Sequence, residues 1–297
     1  MFQLINKIFR RGQQSASVEV KTVPLSEEIS TNGRKSDLYM PPQLVVGSSQ
    51  SIGKQRDHNE DALFSLNIMK SDEKSDSPFG IFIVADGMGG HQHGEVASSS
   101  AMRAMSEYLI KKIYSPLMGT RPEALDEPLQ EIMEYGISEA QQAVLRNAPG
   151  GGTTITAAII IDEQLTIAHV GDSRAYLLTP GGQMKAISQD HSLVQRLIDL
   201  GQLTEEEAAV HPQRNVLYRA LGQMEPFHPD VRTFTFPNNG ILLLCSDGLW
   251  GVVSESTMFD IVMQNDNPTI ACRKLVDAAN EAGGPDNITV ILVKKIK

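Results

Sequence analysis

Two cysteines in 297 residues are too few for a disulfide framework. Cys245 lies inside an apolar run and Cys272 in a helical stretch, and neither has metal-ligand spacing. Both read as buried, reduced thiols of a cytoplasmic protein. No Cys/His cluster is present, so structural zinc is not expected. No stretch approaches the ~20 consecutive apolar residues of a membrane span. Positive charge is also short: 26 Lys and Arg stand against 36 Asp and Glu, a formal net charge of −10. Such a chain has no basic field to attract a nucleic-acid backbone. Phosphate chemistry stays open, because bound cations can supply positive charge locally. The first eleven residues, MFQLINKIFRR, are weakly amphipathic, interrupted by Asn6 and Lys7, and followed by no small-residue cleavage site. A signal peptide is not expected there; a disordered leader is the reading preferred, with a surface anchor or docking peptide as the alternative.

What the chain does have is a phrase written twice. Ile81-Phe82-Ile83-Val84-Ala85 runs into Asp86-Gly87, and Ile241-Leu242-Leu243-Leu244-Cys245-Ser246 runs into Asp247-Gly248. Each run has the length and aliphatic content of a strand buried on both faces. Each delivers a carboxylate where the strand leaves the core, where an isolated charge is costly unless paired or bound to a metal. Two such strand ends suggest two acids aimed at one place, with a divalent cation between them.

Hydrophobic residues make up 41% of the chain, enough for an ordinary core. Residues 12–43 are rich in Ser, Gln, Lys, Glu and Pro and read as a flexible linker. Folding is expected from residue 44 to residue 297, as a single domain. Strands are expected over Leu63–Met69, Phe79–Ala85, Thr153–Ile161, Leu165–Val170, Arg174–Leu178 and Ile288–Val293, with a polar loop from Ser71 to Pro78. Helices are expected over Glu95–Tyr114, with Val96, Met102, Met105, Leu109 and Ile110 on one side, and from about Glu123 to Asn147. A short helix over Ser192–Leu200 precedes another capped by Thr204 and Glu207. Asn267-Pro268 opens the last one and Gly283-Gly284 closes it. Hairpin connections dominate, so the fold class expected is α+β, with antiparallel sheets covered by helices.

Four acidic positions stand out: Asp61, Asp86, Asp247 and Asp286. Oxygen-only ligands suit hard cations such as Mg²⁺ or Mn²⁺. Gly87 would let a backbone carbonyl approach the ion as well. Any one Asp-Gly also suits a plain turn, and Asp286-Asn287 after Gly-Gly-Pro suits a loop.

As a set, these segments resemble the metal-dependent protein phosphatases of type 2C, in their bacterial form. The resemblance rests on RDHNED at 56–61, VADGMGGHQHGE at 84–95, GGTTITAA at 151–158, AHVGDSRAYLL at 168–178, QDHS at 189–192, LCSDGLW at 244–250 and GPDNITVILV at 284–293. It covers about residues 45–297. It implies a four-layer αββα sandwich with two metal ions, Mn²⁺ or Mg²⁺, at one end. Asp86 would bridge both ions and the Gly87 carbonyl would bind one. Asp247 and Asp286 would hold the other. Asp61 would bind directly or through water, with Glu60 supporting it from one layer further out. The implied reaction is in-line attack on the phosphate ester by a hydroxide bridging the two ions, with no phosphoenzyme. Arg56 falls where the family keeps its phosphate-binding arginine, and a forked guanidinium suits phosphate oxygens. Asp172 matches a position associated with a third, weaker metal; a turn residue bonding nearby N–H groups is the competing account.

Met88 stands where eukaryotic members place a histidine able to protonate the leaving group. His91, His93 and His191 lie nearby in the motifs, and a loop or cap role fits each, so no general acid is named. Thr153 and Thr154 read as strand-start packing, because no Lys follows and no helix begins. The resemblance implies that the stretch from Leu193 to Gly222 is a flap beside the metal site that influences substrate choice; a solvated face is the competing account of its charged residues. The function expected is hydrolysis of phosphoserine and phosphothreonine in proteins, opposing a Ser/Thr kinase, by a cytoplasmic monomer. The alternatives are a non-catalytic phosphoprotein-binding regulator and a hydrolase of small phosphoesters.

Overall fold

The computed structural model describes residues 41–296, except 72–75, 90–91, 120–122 and 224–227. The expectations for residues 1–40 and for His91 therefore lie outside the described residues. Among the described residues the strands are β1 (Gln43–Ser51), β2 (Ala62–Ser71), β3 (Asp76–Ala85), β4 (Gly87–Met88), β5 (Gly152–Thr153), β6 (Ile155–Ile161), β7 (Gln164–Val170), β8 (Arg174–Leu178), β9 (Met184–Ala186), β10 (Asp230–Thr235), β11 (Ile241–Cys245) and β12 (Ile288–Ile296). The helices are α1 (Gln92–Leu109), α2 (Ser115–Met118), α3 (Leu129–Asn147), α4 (Leu193–Asp199), α5 (Glu205–Ala209), α6 (Asp247–Trp250), α7 (Glu255–Met263) and α8 (Pro268–Glu281), with a π-helical turn over Ile110–Tyr114.

Two five-stranded antiparallel sheets form. Sheet one runs β1-β12-β11-β8-β9 and sheet two β10-β7-β6-β3-β2, while β4 and β5 pair separately. Alternation along the strands explains why the apolar runs have no polar face. In β3, Phe79, Ile81 and Ile83 pack under α1 and α3, while Phe82 and Val84 face the other sheet. In β11, Ile241, Leu243 and Cys245 pack under α7 and α8, while Leu242 and Leu244 face inward. Helix, sheet, sheet and helix thus stack as four layers, as expected.

Several boundaries differ from the sequence reading. Strands β2 and β3 stay paired to Ser71↔Asp76, so both ends of the expected polar loop, Ser71 and Asp76 to Pro78, are strand. Helix α3 begins at Leu129, not near Glu123, because Pro128 has no N–H and its ring blocks the preceding turn. Helix α1 buries Ala97, Ala101, Met105 and Leu109, and Val96 instead points outward, 40% exposed. The expected strand from Thr153 breaks at Thr154. The last strand continues three residues further, to Ile296. The Thr204–Glu207 capping box and the Asn267 cap are both present. Among the described residues, no helix is long and apolar enough to cross a membrane.

Candidate metal centre

Antiparallel neighbours place the end of one strand beside the start of the next, and this gathers the acids. Ala62 is registered opposite Ala85, so Asp61 and Asp86 leave sheet two side by side. Cys245 is opposite Val290, which brings Asp247 and Asp286 to the same end of sheet one. Asp172 sits in the three-residue link where the chain passes from β7 to β8, and so from one sheet to the other.

Asp61 ties the sheets together. Its Oδ2 accepts from Ser246 Oγ at 2.8 Å, just past the end of β11, and from Thr289 Oγ1 at 2.6 Å on β12, so both donors come from sheet one or its edge. Its Oδ1 is buried with no partner, and the same holds for Asp247 Oδ1. Asp86 is held by its backbone: Thr154 Oγ1 accepts from Asp86 N, and Thr154 N and Thr153 Oγ1 both donate to Asp86 O. The two threonines therefore grip the acid, a role beyond the strand-start packing expected of them. Gly87 has no room for a Cβ, which would meet the Gly94 and Glu60 carbonyl groups.

Burial first, then Asp61, Asp247, Asp172 and Asp286, raise the Asp86 carboxyl well above the ordinary range. Burial pushes Asp61 up to about 7; the two hydroxyls oppose that shift, while Asp247 and Asp286 add to it. Burial and Asp286 push Asp247 up to about 6, against a hydrogen bond with the Asp86 side chain. Asp172 is also raised, by burial and then by Asp247 and Asp190, against the Arg174 charge. These are acids crowded by acids, and a cation is what would relieve them. Among the described residues, however, no three His, Cys, Asp or Glu side chains close on a single point. The fit to divalent metal rests on the oxygen-only donors and the two buried oxygens without partners.

Arg56 Nη2 donates to Asp286 Oδ2 at 2.6 Å, with the arginine side chain 48% exposed. The structure thus shows the ion pair, and the guanidinium stands at the rim of the acid cluster. Glu60 is buried, its Oε1 3.0 Å from His58 Nε2. Of the expected histidines, His93 is exposed. His191 is buried between Gly171 N and Arg219 on its two ring nitrogens. Burial and the neighbouring His169 push it down to about 3, so it is no general acid at neutral pH.

Sequence reasoning missed the braces. Asn287 passes as a loop residue, yet it is buried, accepts from Glu60 N at 2.8 Å and donates to Ile52 O at 2.8 Å and His58 O at 2.9 Å. Its own N–H donates to Asp286 Oδ1. An amide side chain next to a candidate ligand was the available signal. Asn287→Ala removes three side-chain bonds and strands a buried N–H and two carbonyls. It is expected to cost about 2–4 kcal/mol in urea unfolding; a loss below ~1 kcal/mol would show that the 52–60 loop does not depend on it. Arg174 is a second brace. It forks onto Asp190 and lies 3.6 Å from the Trp250 ring centroid, while Trp250 Nε1 donates to Asp172 O.

The protein phosphatase 2C pattern matches residues 45–288. The chain belongs to that family. This phosphatase is 39% identical over 244 residues to the serine/threonine phosphatase stp of Listeria welshimeri, covering 82% of this chain and 92% of that one. Among solved structures it resembles the Mycobacterium tuberculosis serine/threonine phosphatase PstP/Ppp, with TM-score 0.71 and 30% identity over 86% of this chain and 99% of that one. It also resembles the PstP catalytic domain in complex with two manganese ions, with TM-score 0.68 and 29% identity over the same shares. The family is metal-dependent, and the acid end of this sandwich is where its two-sheet architecture converges.

Proposed function

We propose that this phosphatase hydrolyses phosphoserine and phosphothreonine in proteins, with residues 44–297 as the catalytic unit. The observation that carries the reading is the pair of buried, unpartnered oxygens, Asp61 Oδ1 and Asp247 Oδ1, in a cluster of acids drawn from both sheets. Asp61, Asp86, Asp247, Asp286 and the Gly87 carbonyl would hold two Mn²⁺ or Mg²⁺ ions, with Glu60 in support and Asp172 toward a third. When bound, such ions activate water and neutralise the phosphoryl oxygens.

The chain's own residues do the rest. Thr153 and Thr154 fix the Asp86 backbone, and Ser246 and Thr289 hold one oxygen of Asp61 while the other stays buried without a partner. Arg56, half exposed at the rim and using one nitrogen on Asp286, presents the remainder of its fork to a phosphate. We assign no side chain as general acid; Met88 cannot donate a proton, and solvent has access to the rim. A Ser/Thr kinase must supply such a substrate, and the enzyme is proposed to work opposite one, as a cytoplasmic monomer.

The test is hydrolysis of a phosphothreonine peptide by the purified protein with Mn²⁺. Activity that a chelator abolishes and Mn²⁺ restores is the expected result. Hydrolysis that persists in chelator, or none with any divalent ion, would overturn the reading.

A further inference from the structure

A cleft of about 470 Å³ opens between the 192–215 segment, which carries α4 and α5, and the elements that follow β11. That volume falls in the range of ligand pockets, roughly 300–1,000 Å³. One of its lining residues is Asp247, whose buried Oδ1 has no partner, so the cleft runs into the acid cluster. Its α6 side is stiff. Trp250 is fixed to Asp172 O, Arg174 stacks on the Trp250 ring, and the Arg174 fork closes on Asp190. Val194, Ile198 and Ala208 supply apolar surface from the opposite side.

With Arg174 and Asp190 cancelling, three charges remain in the lining besides Asp247: Glu205 on α5, Glu255 at the start of α7, and Arg214. All three are exposed, and among the described residues none has an ion-pair partner. Two carboxylates from separate elements thus stand against one guanidinium. A mixed lining, with the apolar surface of Val194, Ile198 and Ala208 between acids on two walls, suits a side chain that has an aliphatic stem and a cationic head.

We propose that this cleft receives the polypeptide flanking the phosphorylated residue, and that Glu205 and Glu255 select a basic side chain there. The inference rests on the phosphatase reading above. Glu205 and Glu255 are specificity-determining residues, since they touch the substrate away from the reacting atoms.

The full chain with Mn²⁺ tests this on phosphothreonine peptides carrying Arg, Ala or Glu at each flanking position, with p-nitrophenyl phosphate as a substrate too small to reach Glu205 and Glu255. Arg should be preferred over Glu at one position by roughly 5–30-fold in kcat/KM, carried by KM, as expected for a pair of partly solvated charge contacts. E205Q/E255Q should abolish the preference and E205K/E255K should invert it, with p-nitrophenyl phosphate turnover within about twofold of wild type. R214A should sharpen the preference for Arg. Peptides hydrolysed at rates that ignore the flanking charge, or a preference that survives E205K/E255K, would overturn the cleft assignment alone. No turnover of peptide or p-nitrophenyl phosphate would overturn the phosphatase reading and the assignment together.

Discussion

Asp247→Asn is expected to lower Mn²⁺-dependent phosphopeptide hydrolysis by about 10²–10³-fold or more while raising the melting temperature of the metal-free protein. The two effects have one cause. Asp247 is a buried carboxyl pushed up to about 6 by burial and by Asp286. Its ionised form therefore costs the folded state free energy at pH 8, and that cost disappears as the pH falls below ~4, where both folded and unfolded chains hold the proton. An asparagine removes the charge, keeps the shape and can donate to Asp86. The gain is on the order of 1–3 kcal/mol, since a tenfold change in proton affinity between the folded and unfolded chain corresponds to ~1.4 kcal/mol. For a domain of this size that is roughly 2–10 °C by differential scanning calorimetry. A metal-free Asp247→Asn protein that melts below wild type would show that the acids are not in mutual repulsion. A variant that keeps its cellular role without turnover would favour the regulator over the enzyme.

The second large effect is the stabilisation conferred by Mn²⁺, which should grow with pH. Asp61 stands at about 7 and Asp247 at about 6, both above the ordinary carboxylate near 3.8. Between pH ~4 and ~7 the metal-free folded protein holds protons that the unfolded chain has released. The contribution of these groups to stability therefore falls as the pH rises through that window. A cation binds only after those protons leave, so it competes with them at pH 5.5 and not at pH 8. The Mn²⁺-induced rise in melting temperature is expected to be roughly 5–10 °C larger at pH 8 than at pH 5.5. Asp61→Asn should flatten most of the difference. Equal rises at both pH values in wild type would mean the metal binds elsewhere.

Much of this was legible in the sequence because it is carried by local pattern. Apolar runs without a polar face announced strands covered on both sides, and β3 and β11 are such strands. The acids were legible because each follows or precedes such a run. What could not be read was anything that depends on two segments meeting. Asn287 reaches back across the fold to Ile52, His58 and Glu60. Thr154 touches Asp86 only because β6 lies beside β3. The Arg174–Trp250 stack joins β8 to α6. Pro128 was a local signal that the helical pattern around it concealed. Strand β10, with its half-exposed residues, has too weak an alternation to be recognised alone.

Strand β1 has one more consequence. It enters the sheet at Gln43, opposite Ile296, and reaches Ser51, opposite Ile288, near the acids. Both ends of the folded unit therefore emerge together at the pole remote from the reaction, roughly 30 Å away along an extended strand. An enzyme attached to a surface or a fused partner through either end would keep its working mouth turned outward.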